Sequence, residues 1–111
     1  MSHDLFADSE DNWEDREASK KNDGKFANRI YVQPLGNGMV RVNFGEVLDE
    51  FPSYHTAIVM TAANAVEFAG LMQNVGAAVM DVDRAELDEV LRQVREDTLA
   101  EAKAANAAAK S

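Results

Sequence analysis

The chain lacks cysteine altogether, and none of its 111 residues fall in a long apolar run. Without cysteine there can be no disulfide framework, no thiol nucleophile and no thiolate metal site. A membrane-spanning helix needs about 18 or more consecutive apolar residues, so none is expected. The first residues carry neither the basic nor the apolar region of a signal peptide. These absences predict a cytoplasmic protein.

Histidine is also scarce, which bears on catalysis. The two histidines are His3 and His55. General-base and nucleophilic catalysis need a histidine, or a carboxylate of raised pKa, held against a partner. His3 lies in a segment expected to be flexible, and Ser53 near His55 makes no triad. We therefore expect no enzyme and a structural or surface role for His55; a small enzyme that depends on His55 is the less favoured alternative.

Two short patterns resemble parts of a calcium-binding loop and of a phosphate-binding loop. Asp81, Asp83 and Glu86 lie close together, but they lack the twelve-residue spacing, the glycine and the terminal glutamate of an EF-hand calcium loop, so helix capping explains them better. The sequence Gly-Asn-Gly at residues 36–38 lacks the Lys-Ser/Thr of a phosphate loop and is typical of a hairpin turn. We expect no cofactor and no bound metal.

The net charge of −9 constrains the partners. Nucleic acids and anionic membranes bind through cationic side chains, so direct contact with either is not expected. An acidic inhibitor that mimics nucleic acid, as some phage-encoded proteins do, stays open. Eight of the 20 carboxylates lie in residues 1–25 and eight in residues 81–111, which is a poor basis for a rigid phosphate-like array.

Residues 1–25 form an acidic arm with little apolar content. Its only large apolar residues are Leu5, Phe6 and Trp13. Such a stretch buries too little apolar area to offset its chain entropy, so disorder is predicted. Apolar residues among acids also occur in segments that fold onto a partner's groove. The arm is therefore either a solubilising tail or a partner-binding segment.

Residues 26–98 read as a compact α+β domain. Alternating apolar residues predict strands at 29–33 and 39–44 joined by a turn, then a loop at 45–53 and a more apolar, central strand at 54–60. Thr61 is placed to cap a helix whose apolar residues recur to residue 79. A second helix follows Asp83, and the alanine-rich residues 99–111 are expected to fray.

Residues 29–79 resemble a family of small bacterial and archaeal proteins of unknown function. Its members contain a hairpin, a Phe-Gly pair, a variable acidic loop and a strand that ends in Met-Ser/Thr at a helix start. Here the matching segments are Arg-Val-Asn-Phe-Gly at 41–45 and His-Thr-Ala-Ile-Val-Met-Thr at 55–61. The proline usual after the Ser/Thr is missing, and the C-terminal helix is extended. The resemblance implies a fold and no active site.

The second helix carries an apolar stripe that the small core does not need. The stripe consists of Leu87, Val90, Leu91 and Val94. It is either core or the seam of a partner, and a monomer results if the helix folds back on its own sheet. A domain this small is marginal alone, and an open sheet edge invites pairing. We therefore expect a non-enzymatic protein-binding or assembly subunit that forms a homo-oligomer through the sheet edge, the second helix or the arm.

Overall fold

The computed structural model describes residues 5–109 and has an α+β architecture. His3 therefore lies outside the described residues. A 3-10 turn, Glu10–Asn12, leads into helix α1, and a three-stranded sheet and two longer helices follow in chain order. The elements are α1 (Trp13–Ser19), β1 (Arg29–Pro34), β2 (Met39–Leu48), β3 (Phe51–Thr61), α2 (Ala62–Met80) and α3 (Arg84–Ala109). The predicted fold class, α+β with a three-stranded antiparallel sheet packed by one amphipathic helix and followed by a second helix, is confirmed.

The sheet is a meander in which both connections are tight turns. Gly36, Asn37 and Gly38 all have positive φ in the first turn, as expected. The second turn consists only of Asp49 and Glu50, both with positive φ, which is the conformation of a two-residue hairpin loop. The predicted loop at 45–53 is therefore wrong, because β2 continues to Leu48 and β3 begins at Phe51.

The strand order is β1-β2-β3, so β2 is central and β3 lies at an edge. The prediction of a central third strand is wrong. An apolar composition is typical of a strand that is buried on both faces. Two short antiparallel turns, however, place the middle strand of the chain in the middle of the sheet, and the apolar side chains of β3 remain largely exposed.

One face of the sheet is apolar. The register aligns Ile30 with Phe44, and Val32 with Val42 and Ile58. Because residues directly opposite each other share a face, these side chains form one apolar layer. On the other face Asn43 donates to the carbonyl of Tyr31 and to Gln33 Oε1, at 3.0 and 2.9 Å. Among the described residues Val42, 7% exposed, is the only buried hydrophobic side chain.

A β-bulge interrupts the pairing of β2 with β3 at Gly45. The register shifts between Phe44 and Gly45, so that His55 is the extra residue on β3. A Cβ on Gly45 would lie 2.2 Å from the carbonyl oxygen of Ser53 and 2.8 Å from Tyr54 Cα. The two backbones therefore approach more closely here than any side chain permits.

The helices begin and end at identifiable caps. Thr61 Oγ1 accepts a hydrogen bond from the amide of Asn64 at 3.1 Å, which confirms the predicted cap of α2. Asp81 ends α2 in the left-handed conformation, with φ of 57°. Asp83 Oδ1 then accepts from the amide of Glu86 at 2.8 Å and caps α3. The interruption predicted at 81–83 is thereby confirmed.

Helix α3 extends to Ala109, through the stretch that was expected to fray. Its C-terminal half lies beside β1, where an open cleft of about 1100 Å³ separates the two. The oxygen of Ala109 lies 3.3 Å from the position that a Cβ on Gly36 would take. Small alanine side chains permit this approach. None of the helices within residues 5–109 combines the length and the hydrophobicity needed to cross a bilayer.

The acidic arm contains the short α1. Arg16 ties this helix to the preceding residues, with Nη2 2.7 Å from the carbonyl of Ser9 and 3.1 Å from Asp8 Oδ1. Both contacts are exposed to solvent. Disorder of residues 1–25 as a whole stays a prediction, and residues 1–4 lie outside the described part of the chain.

Candidate interaction surface

The chain exposes far more surface than a compact monomer of its mass. Its accessible area is 9123 Å², whereas a compact 12.2 kDa monomer exposes about 6,000 Å². The radius of gyration is 16.0 Å, against about 13 Å for a compact domain of this length. The arm contributes part of this excess. The rest lies on the sheet and the two long helices.

The apolar face of the sheet is the first exposed region. Ile30, Val32 and Ile58, which lie on this face, are 59%, 55% and 46% exposed. Helix α2 packs on β2 and β3, yet Val66 and Val79 are still 74% and 81% exposed. Within one chain the sheet and the helices therefore leave most of their apolar side chains in water.

The two edges of the sheet differ in their protection. The outer side of β1, the β1 edge, begins at Arg29 and ends at Pro34. Residues of β1 line the cleft together with α3, Met39, Val40 and Ala62, so α3 lies next to the strand that forms this edge. A charge, a proline and a covering helix are three devices that stop an edge from pairing.

The outer side of β3, the β3 edge, has little of this protection. No strand of the described residues pairs there. From residue 51 to residue 66 the chain contains no Asp, Glu, Lys or Arg, although 28% of the whole sequence is charged. Pro52, which has no N–H to donate to another strand, lies only at the beginning of β3. Residues 54–61 form a long, uncharged and unpaired edge.

The candidate residues of the arm are half-buried or exposed. Leu5 is half-buried, Phe6 is 44% exposed and Trp13 is 59% exposed. Helix α1 packs on the 3-10 turn before it. A partner-binding role for these three residues stays a prediction.

The stripe on α3 is divided between half-buried and exposed positions. Leu87 and Leu91 are half-buried, whereas Val90 is 58% and Val94 is 53% exposed. Packing within the chain therefore accounts for part of the stripe, and a role as a partner seam stays a prediction. The helix does return to its own sheet, but it does so with its alanine-rich C-terminal half rather than with this stripe.

His55 connects two segments across the central strand. Its Nε2 lies 2.9 Å from the carbonyl oxygen of Phe26, and its Nδ1 lies 2.7 Å from Thr56 Oγ1. A carbonyl can only accept, so in the neutral ring Nε2–H donates to Phe26 and Nδ1 accepts from the hydroxyl of Thr56. Both nitrogens are engaged in structural hydrogen bonds, an arrangement that suits a tether better than a general base.

The charged residues form local ion pairs on the helix surface. Arg92 binds Glu89 and Glu96 at 2.6 and 2.9 Å, and these hydrogen bonds raise the pKa of its guanidinium. Arg84 pairs with Asp88 at 3.5 Å. In the part of the chain that the structure describes, no group of three His, Asp or Glu side chains is placed to hold a metal ion.

Comparison with known proteins returns no match, either to protein-family models, to curated proteins or to solved structures. The resemblance of residues 29–79 to an uncharacterised family therefore stays a prediction.

Sequence reasoning named the sheet edge as a partner surface but did not find the strand that forms it. The two-residue turn at Asp49 and Glu50, which keeps β2 between its neighbours, is visible only in the structure. One signal in the sequence did point to β3. The uncharged run at 51–66 marks the strand whose edge carries no protective charge.

Proposed function

We propose that the chain is a non-enzymatic protein-binding or assembly subunit that associates with itself. The observation that carries the proposal is the exposed apolar surface. The accessible area in excess of a compact monomer is about 3,000 Å² per chain, part of it in the arm, and an obligate dimer interface buries about 1,000–2,500 Å² on each chain. Each fully buried aliphatic side chain contributes about 1.5–3 kcal/mol, which supports association and is offset in part by the entropy that two chains lose on binding.

Supporting evidence comes from the arrangement of charge. None of the 20 carboxylates lies in residues 51–66, whereas eight lie in residues 1–25 and eight in residues 81–111. Two copies that meet along β3 therefore bring no carboxylate of that strand into contact. We place the protein in the cytoplasm, which the absence of cysteine supports.

The mass in solution tests the proposal. Light scattering coupled to size exclusion, at micromolar concentration, should give at least twice 12.2 kDa. A mass of one chain at every concentration would contradict self-association. Repetition at low and high salt is an informative control, because an apolar interface does not weaken as salt rises.

A further inference from the structure

We infer that two copies of this chain pair through their β3 edges, antiparallel and with Val59 on the two-fold axis, to form one six-stranded sheet. This inference rests on the proposed self-association and names one contact within it, at the edge of the sheet. In the joined sheet the apolar faces of the two copies lie side by side on the same side. The occupant of the β3 edge is a second copy of the same strand.

The backbone of β3 defines which groups point outward. The amide of Ala62 donates to the carbonyl of Gly38 at 2.8 Å, so the backbone at Ala62 points toward β2. In an antiparallel pair this direction alternates from residue to residue. Met60 and Ile58 therefore bond to β2, whereas the N–H groups of Ala57, Val59 and Thr61 point away from the sheet.

An independent hydrogen bond on the other side of β2 assigns the same inward and outward residues to β3. The amide of Leu35 donates to the carbonyl of Met39 at 3.0 Å, so the backbone of Met39 points toward β1. Met39 lies opposite Thr61. Because this pair faces away from the β2–β3 gap, the backbone of Thr61 points to the β3 edge, as the alternation from Ala62 requires.

The register between the two β3 strands follows from pairing the outward-pointing residues of one copy with those of the other. With Val59 on the axis, Val59 lies opposite itself, and Ala57 lies opposite Thr61 of the second copy. An axis at Ala57 would draw the bulge at His55 into the pairing, and an axis at Met60 would leave Ala57 unpaired. The register on Val59 uses all three outward residues.

The electrostatics of the edge permit a self-complementary contact. A two-fold axis brings every residue near its own copy, so a charge close to the axis would repel itself. β3 has none, and the nearest charged residues in sequence are Glu50 and Glu67. On β2, Arg41 lies opposite Val59 and donates to Asn43 Oδ1 of its own strand at 3.0 Å, so the two β3 strands separate it from its copy. At the β1 edge, Arg29, Pro34 and α3 oppose the same arrangement.

The absence of cysteine makes a direct test possible, because any introduced thiol is the only one. Opposed residues of an antiparallel pair have Cα atoms about 4.5–5.5 Å apart, within the range that a disulfide spans. Val59→Cys should form a disulfide-linked dimer under mild oxidation. Val32→Cys on the β1 edge, where Val32 is 55% exposed, is the matched control and should form at least tenfold less.

A second variant removes one outward donor. Ala57→Pro deletes an N–H that points away from the sheet, a position where an edge strand tolerates proline. It should retain its far-UV circular dichroism and lose at least tenfold in the dimer association constant. If this variant does not fold, the cross-linking comparison alone decides.

The outcomes separate the two proposals. A wild-type monomer at all concentrations would overturn both, and would leave the β3 edge to a strand from another protein. A wild-type dimer in which Val59→Cys links no faster than Val32→Cys would overturn only the β3 pairing. Selective linkage through Val59→Cys supports both.

Discussion

Adding one methyl group should destabilise the chain at Gly45 and stabilise it at Gly70. At Gly45 the new Cβ would lie 2.2 Å from the oxygen of Ser53, so the β2 and β3 backbones must separate by about 1 Å to reach an ordinary contact. Overpacking of this kind costs about 1–3 kcal/mol, and a weakened hydrogen bond from Asn28 to Gly45, now 3.0 Å, adds about 1 kcal/mol. We expect Gly45→Ala to lower the free energy of unfolding by about 2–4 kcal/mol.

Gly70 provides the matched control, since the chemical change is identical. It lies inside α2, and no atom outside its own helix backbone lies within 4 Å of a Cβ built there. Alanine in place of a helical glycine stabilises by about 0.5–1 kcal/mol, because less backbone entropy is lost on folding. Gly70→Ala should therefore raise the free energy of unfolding by that amount.

Urea denaturation followed by far-UV circular dichroism, at one fixed protein concentration, measures both variants. The fixed concentration matters because unfolding of an oligomer depends on it. Wild-type stability of Gly45→Ala would show that the close approach at the bulge is absent. A loss of stability in Gly70→Ala would show that Gly70 contacts something that a single chain does not contain.

Three further results are expected. Thr61→Ala should lower the free energy of unfolding by about 1 kcal/mol, because the amide of Asn64 loses its acceptor; Thr61→Ser, which keeps the hydroxyl, should restore most of the loss in the same urea titration. His55→Gln should change the dimer dissociation constant less than about threefold in sedimentation equilibrium. The histidine makes one hydrogen bond to the chain segment before β1, with a net contribution of about 1 kcal/mol at most. A hundredfold loss of affinity would reveal a function of the ring. Raising the salt from 0.05 to about 0.5 M should leave dimerisation unchanged within a few-fold or strengthen it, because salt screens the repulsion between two acidic chains; steep weakening would contradict an apolar interface.

The local elements could be predicted because their signals are short in sequence. Alternation in 39–44 predicts that strand, and Thr61 and Asp83 mark helix starts through their side-chain oxygens. The end of β2 and the start of β3 could not be read, because the bulge at Gly45 breaks the alternation and the turn residues Asp49 and Glu50 look like an ordinary acidic loop. The central position assigned to the third strand failed for a related reason. Apolar content does not by itself distinguish a central strand from an edge strand whose apolar side chains are exposed.

Part of the candidate surface could be predicted from the sequence. Leu87, Val90, Leu91 and Val94 follow from helical periodicity, and their mixed exposure agrees with neither simple alternative. The outward direction of Ala57, Val59 and Thr61 depends on the phase of the hydrogen-bond ladder, which no composition or periodicity reveals.

The two tight turns also determine the order of events during folding. Each strand pairs with its neighbour in sequence, across a turn of a few residues, so the sheet needs no long loop to close. Hairpins of this kind form in about 1–10 µs, whereas the encounter of two chains depends on concentration and is slower. Refolding should therefore show a fast first-order phase followed by a second-order phase. Between the two phases the β3 edge is formed and unoccupied, and at high protein concentration that interval is when mispairing into larger aggregates competes with assembly.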